Sequence, residues 1–395
     1  MLNTIERLSG AGQSIWCDSI SRPMIDSGTL QRLIDVGVVG VTSNPTIFMN
    51  AITAGDGYEA RISALTATGT TGMAAYESVV LRDIMDAADI LQPVYHMTQG
   101  ADGFVSLEVN PKLAYDTDAT IAEARRLFAA INRPNVLIKV PATAEGIPAI
   151  EALIAAGINV NVTLIFSLDM YERVAHAYLA GLQRRHAAGG DISHVASVAS
   201  FFVSRVDTLT DKLLEDKIAE RSADPHPDGV GAPAPTDTDE DDAPPPDPGY
   251  LLGQAGIANA RLAYARFEQL FDDDGPFGPL ADAGARVQRP LWASTSTKNP
   301  DLPDTLYVDA LVGPNTVNTL PPATIDAVLD HGATAVMIRD ELDTARAMID
   351  DLGRFGIDFA DVTDQLLADG VDLFARSFDR LLATLHDRQQ RPSAV

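Results

Sequence analysis

Residues 136 to 167 read VLIKVPATAEGIPAIEALIAAGINVNVTLIFS. The stretch opens on a short apolar run, Val136 to Val140. It continues through a segment, Ile147 to Ala156, whose apolar residues recur at three- and four-residue spacing, and closes on a second run, Asn159 to Leu164. Short runs rich in β-branched residues read as strands, and three- and four-residue spacing reads as one face of a helix. Strand, helix and strand in that order predict a parallel βαβ unit.

The same unit recurs on both sides. Further strand candidates are Ser14 to Asp18, Val38 to Thr42, Phe104 to Val109, Val195 to Phe202, Arg289 to Ser294 and Thr316 to Thr319. Helical spacing also runs through Thr117 to Ile131 and Leu168 to Ala187. Eight such units in 395 residues predict an α/β fold, a (β/α)8 barrel. A doubly wound sheet would want a glycine-rich fingerprint after an early strand, and the chain contains neither GxGxxG nor GxxxxGK[ST]. The tail from Asp340 to Leu385 reads as further helices packed outside the last unit, with Phe355, Ile357, Phe359, Phe374 and Phe378 as apolar anchors.

One segment breaks the pattern. Ser222 to Gly249 holds eight of the 24 prolines and eight acidic residues, with no lysine or arginine. It reads as a disordered acidic insertion. Because TLTDKLLEDKIAERS before it and LLGQAGIANARLAYARFEQLF after it are both helical in spacing, it is expected to interrupt one domain rather than join two. The expected organisation is thus a single barrel domain over 1–395, interrupted at 222–249, with a helical extension over 340–385.

Composition removes several function classes. With 29 basic and 55 acidic residues the net charge is −26, so nucleic acid is not an expected partner. No uncharged apolar run reaches the roughly 18 residues that a membrane span needs. The opening MLNTIERLSGAG lacks the basic-then-apolar order of a secretory signal, so a cytoplasmic protein is expected. Cys17 is the only cysteine and cannot form an internal disulfide; its expected role is packing. The seven histidines show no metal-binding spacing, and neither metal nor cofactor is expected.

Arginine supplies 24 of the 29 positive charges, which makes the five lysines conspicuous. Lys139 stands alone among Val136, Leu137, Ile138 and Val140. Burial there disfavours the ammonium, and a neutral amine is the form that attacks a carbonyl. The other reading is a strand-end lysine whose stem snorkels to water or pairs with a carboxylate. Neighbouring strands favour chemistry, because polar residues share one parity where a structural core would want aliphatics. Ser106, Glu108 and Asn110 alternate with Val105, Leu107 and Val109; Asn159, Asn161 and Thr163 alternate with Val160, Val162 and Leu164. The same holds for Trp16 with Asp18, Thr42 with Asn44, and Ser294, Ser296 and Lys298. In a barrel covered by helices this parity points inward, towards a polar mouth at the strands' C-terminal ends.

These residue types suffice for Schiff-base chemistry. A lysine imine serves as an electron sink when the adjacent C–C bond breaks, and the cleavage and imine steps each require a proton carrier. Asp18 and Glu108, near strand ends, can divide those roles, although Asp18 also reads as a helix N-cap ahead of SISRP. Arg205 and Lys298 follow the sixth and seventh strands, where cations would meet an anionic end of a substrate or merely form surface ion pairs.

The blocks WCDSISRP (16–23), GVTSNPTIF (40–48), VSLEVNP (105–111), VLIKVPAT (136–143), GINVNVTLIFS (157–167), SFFVSR (200–205) and RPLWASTSTKNP (289–300) occur in order along the chain. Together they resemble the transaldolases, over nearly the whole length apart from the acidic insertion. The chain's length and its WCDSISR opening resemble a longer-chain bacterial subgroup. The resemblance implies a cofactor-free barrel that transfers a dihydroxyacetone unit between sugar phosphates in the non-oxidative pentose phosphate pathway. It implies Lys139 as the imine-forming residue and Asp18 as the acid/base of C–C cleavage. Glu108, through a water held with Thr163, would serve imine formation and hydrolysis. Asn44, Asn161 and Ser200 would hold the dihydroxyacetone hydroxyls, and Arg205, Ser296 and Lys298 the phosphate. Lys298 departs from the family's arginine, keeping the charge but losing the bidentate fork. The register through STSTKN leaves Ser294 as an alternative to Ser296. The competing expectations are an aldolase of the fructose-6-phosphate type, against which Glu108 and the chain length argue, and an inactive sugar-phosphate-binding barrel. The oligomeric state, monomer or homodimer, stays open.

Overall fold

The computed structural model describes residues 2–55, 57–223 and 247–390. Eight strands, β1 (Gln13–Cys17), β2 (Gly40–Val41), β3 (Phe104–Glu108), β4 (Val136–Pro141), β5 (Val160–Ile165), β6 (Ser197–Phe202), β7 (Arg289–Ala293) and β8 (Thr316–Leu320), follow one another around a closed parallel barrel. β8 pairs with β1 from Gln13 opposite Thr316 to Cys17 opposite Leu320, which leaves no open edge. Seven expected strands recur within a residue or two of their reading. β2 is shorter than Val38 to Thr42, yet Val39 and Thr42 still donate to the Ile15 and Cys17 carbonyls, so its backbone is satisfied.

Parity divides the side chains as a covered barrel requires. Val136, Ile138 and Val140 of β4 and Val160 and Val162 of β5 join the outer cluster beneath the helices. Trp16, Phe104, Leu137, Val198, Leu291 and Val317 fill the interior. Trp16 is fully buried there and donates its indole N–H to Asp102, 3.0 Å away. Gly40 makes room for it: a Cβ at that position would lie 2.5 Å from the indole ring. The alternation fails in β5, where the register slips between Val162 and Ile165 and Leu164 adopts φ +61°.

Helices start where the sequence supplies caps. Asp116 and Ser167 cap Thr117–Ile131 and Leu168–Ala187 by accepting from Ala119 and Met170. Residues 224–246, the greater part of the expected acidic insertion, lie outside the described residues. The helices that flank them, Ser204–Ala223 and Ala255–Leu270, are tied by a 2.6 Å hydrogen bond from the Gly256 N–H to Asp207.

The tail does not stay beside the last unit. Helix Leu342–Arg354 packs on Ala255–Leu270, whereas the 32-residue helix Phe359–Gln390 returns to the early helices and β5. Its Phe378 meets Tyr76 edge-on at 5.1 Å, and Ser377 accepts from Thr46. Its apolar stripe needs a partner along its length, and the helix Pro45–Ala54 and the barrel mouth supply it. Among the described residues no helix is long and apolar enough to cross a membrane.

Because the Trp16 indole is rigid and enclosed, Gly40→Ala is expected to destabilise the fold by about 1–3 kcal/mol. Denaturant midpoints measure this; an unchanged midpoint would show that the interior has slack at that layer.

Candidate active site

Lys139 points inward near the C-terminal end of β4, with Glu108 of β3 and Asn161 of β5 as its ladder neighbours. The residue is 5% exposed. Its Nζ donates to the Ser43 carbonyl at 3.1 Å and lies 3.8 Å from Glu108 Oε2. The amine is thus held by one neutral acceptor and one carboxylate that is not in direct hydrogen-bond contact. A snorkelling surface lysine is excluded by that burial.

Asp18 follows β1 directly, its N–H donating to the Leu320 carbonyl. Thr42 Oγ1 donates to Asp18 Oδ1 at 2.7 Å; because that spends its only hydrogen, Thr319, also 2.7 Å from Thr42, must donate to Thr42. The N-cap role falls to Ser21, which accepts from Met24, so Asp18 is free of that duty. Burial raises the Asp18 pKa above the ordinary carboxylate value, overriding the Thr42 hydrogen bond and the fields of Lys139, Arg205 and Lys298. Cys17, on the opposite parity, faces the outer core, and burial pushes its thiol up to about 12. It is an inert packing residue.

Glu108 is raised to about 7, again by burial, against the opposing pull of Lys139 and Arg205. Its Oε2 and the hydroxyl of Thr163 are both buried without a hydrogen-bond partner among the described residues. Two unspent polar atoms on the strands either side of β4 and Lys139 are what a bridging group would satisfy.

Asp18, Asn44, Lys139, Thr163, Ser200 and Arg205 line one cavity at the C-terminal mouth. Asn44 caps the helix Pro45–Ala54 with its side-chain oxygen, which leaves the amide N–H groups for a ligand. Asn161 lies beneath the cavity, fully buried; it accepts from Ser200 at 2.7 Å and donates to Ser106 at 3.0 Å. Glu108 adjoins the cavity through Lys139 and also borders a small void beside Tyr76 and Phe378. Two expected residues stand apart. Lys298 is exposed and donates to Ser296 at 2.9 Å, outside the lining, whereas Ser294 lines the cavity with φ +57°.

Five lining residues were not singled out as functional by sequence, Ala293 at the end of β7 among them. Thr42 showed only as a polar residue of the right parity, and Thr319 and Phe202 sit at strand ends that otherwise read as core. Phe374 arrives from the tail, where its spacing signalled nothing beyond an apolar helix face.

Although the chain is strongly acidic, the cavity gathers Lys139 and Arg205 around two carboxylates whose pKa values are raised. That arrangement suits an anionic ligand bearing a carbonyl, with Glu108 able to exchange a proton near neutral pH.

The family model described as transaldolase/fructose-6-phosphate aldolase matches residues 15–385. A protein named transaldolase from Thermobifida fusca (strain YX) is 49% identical over 97% of this chain and 97% of its own. One from Mycobacterium tuberculosis (strain ATCC 25618 / H37Rv) is 47% identical over 95% of this chain and 94% of its own. One from Parafrankia sp. (strain EAN1pec) is 47% identical over the whole of both chains.

The raised Glu108 pKa carries a linkage consequence. Between its model-peptide value of 4.5 and about 7 the native carboxyl holds a proton that the unfolded one has lost, so this group's contribution to stability falls as pH rises through that window. Glu108→Gln removes that contribution. Between pH 5 and pH 8 the variant's denaturant midpoint should decline less, or rise more, than that of the unaltered protein; equal slopes would mean that Glu108 titrates normally.

Proposed function

The chain belongs to the transaldolase/fructose-6-phosphate aldolase family, and from that premise we propose that it acts as a transaldolase. It moves a dihydroxyacetone unit from sedoheptulose 7-phosphate or fructose 6-phosphate to glyceraldehyde 3-phosphate or erythrose 4-phosphate. The observation that carries this reading is a buried lysine, Lys139, at the mouth of a barrel, with Glu108 3.8 Å from its amine and Asp18 on the same cavity.

In the proposed reaction Lys139 Nζ attacks the ketose C2 carbonyl. Glu108, through a water shared with Thr163, protonates the departing carbinolamine hydroxyl, leaving a protonated imine and one molecule of water. Asp18 takes the proton of the C4 hydroxyl, the C3–C4 bond breaks, and its electron pair neutralises the iminium as an enamine while the aldose leaves. An acceptor aldose enters and the steps reverse. The Glu108 carboxyl, raised to about 7 by burial, supports proton exchange near neutrality, and burial raises Asp18 above the ordinary carboxylate value. Asn44 and Ser200 hold the dihydroxyacetone hydroxyls, with Asn161 orienting Ser200 from below. Arg205 takes the phosphate with Ser294; Ser296 and Lys298 add a cation at the rim. We place the activity in the cytoplasm, where phosphorylated sugars are retained by their charge.

Fructose 6-phosphate followed by borohydride reduction is expected to leave a sugar-derived adduct on the Lys139 peptide, detected by mass spectrometry after digestion. Lys139→Arg should give no adduct and lose turnover by at least about 10³-fold with the fold intact; substantial residual activity would sink the assignment. Asp18→Ala should still give the adduct while slowing C–C cleavage by roughly 10²–10⁴-fold. Loss of trapping in that variant would mean that the two carboxyl roles are assigned wrongly.

A further inference from the structure

The C-terminal helix Phe359–Gln390 sends one side chain into the cavity, Phe374, which is 3% exposed. Its ring lies 5.9 Å from Lys139 Nζ and 5.9 Å from the guanidinium carbon of Arg205. Arg205 also lies 5.1 Å from the ring of Phe202. Other shielded arginines are held by carboxylates: Arg22 by Asp83 and Asp86, Arg261 by Glu341. Among the described residues no group takes a hydrogen bond or ion pair from the Arg205 guanidinium; Asp18 and Glu108 act on it only through their fields.

That difference has a chemical meaning. A carboxylate partner fixes an arginine but occupies its donors and cancels its charge. An aromatic face attracts the cation through its quadrupole and leaves the in-plane N–H groups unspent. The helix is seated deeply enough to do this. Gly370, one turn before Phe374, approaches the Leu164 bulge of β5 so closely that a Cβ there would lie 2.8 Å from a Leu164 methyl.

We propose that Phe374 is a positioning residue for anion recognition: together with Phe202 it holds Arg205 by aromatic contact in place of a carboxylate, so that the guanidinium keeps its donors for the substrate phosphate. The inference rests on reading Lys139 as the imine-forming residue and Arg205 as a phosphate contact.

The test compares two ketones that use the same lysine. Borohydride trapping at Lys139 is titrated with fructose 6-phosphate, which carries the phosphate, and with dihydroxyacetone, which does not. Phe374→Leu keeps the apolar cover but removes the ring face. It should raise the fructose 6-phosphate concentration for half-maximal trapping by about five- to tenfold, leaving the dihydroxyacetone titration within about twofold. Phe374→Tyr, which retains the ring, should restore the fructose 6-phosphate titration. Phe374→Met gives a second ring-free comparison should the leucine variant unfold, and far-UV circular dichroism checks each protein. Equal shifts for both ketones would show that Phe374 merely roofs Lys139, and no shift for either would show that it does not hold Arg205; each result overturns the proposal. If the unaltered protein were trapped by neither ketone, the Lys139 reading would fall and the proposal with it.

Discussion

Taking an amine and two carboxylates out of water is the constraint around which this barrel is arranged. Lys139 and Glu108 are 5% and 6% exposed, and each would be costly to bury alone. Their cost is offset by mutual fields, by the Ser43 carbonyl and by the Thr42–Thr319 relay to Asp18, all of which depend on strands meeting in one register. What the offset does not cover appears as the raised pKa values of Asp18 and Glu108. The same incomplete compensation that weakens the fold leaves both carboxyls holding their protons more readily than exposed ones would.

The lower interior bears the stability that the mouth gives up. There the inward positions are Trp16, Phe104, Leu137, Val198, Leu291 and Val317, and a charged cluster, Asp102 with Ser14, Trp16 and Arg289, is held by hydrogen bonds on both carboxylate oxygens. Height along a single strand separates the two regimes on one inward parity: in β1, Ser14 serves the bottom, Trp16 the packed middle and Asp18 the mouth.

Much of this was legible in the chain because both signals are local. Strand parity is written in runs such as VSLEVN and NVNVTL, and a lone lysine among four large aliphatics marks its own position. What was not legible depends on distance or on backbone geometry. The slip at Leu164 follows a left-handed residue that no alternation predicts. The exchange of Ser296 for Ser294 at the cavity turns on another left-handed residue, Ser294 itself, within a polar run readable in two registers. Phe374 is separated from Lys139 by most of the fold, and an aromatic on an apolar helix stripe carries no mark of what it faces.

The path of the C-terminal helix also orders events in time. All eight strands precede Phe374 in the chain, and ribosomes extend a chain at about 5–20 residues per second. The strands that carry Lys139, Asp18 and Glu108 therefore leave the ribosome before the residue that covers them. The order of synthesis thus places the cover of the mouth after every strand that forms it.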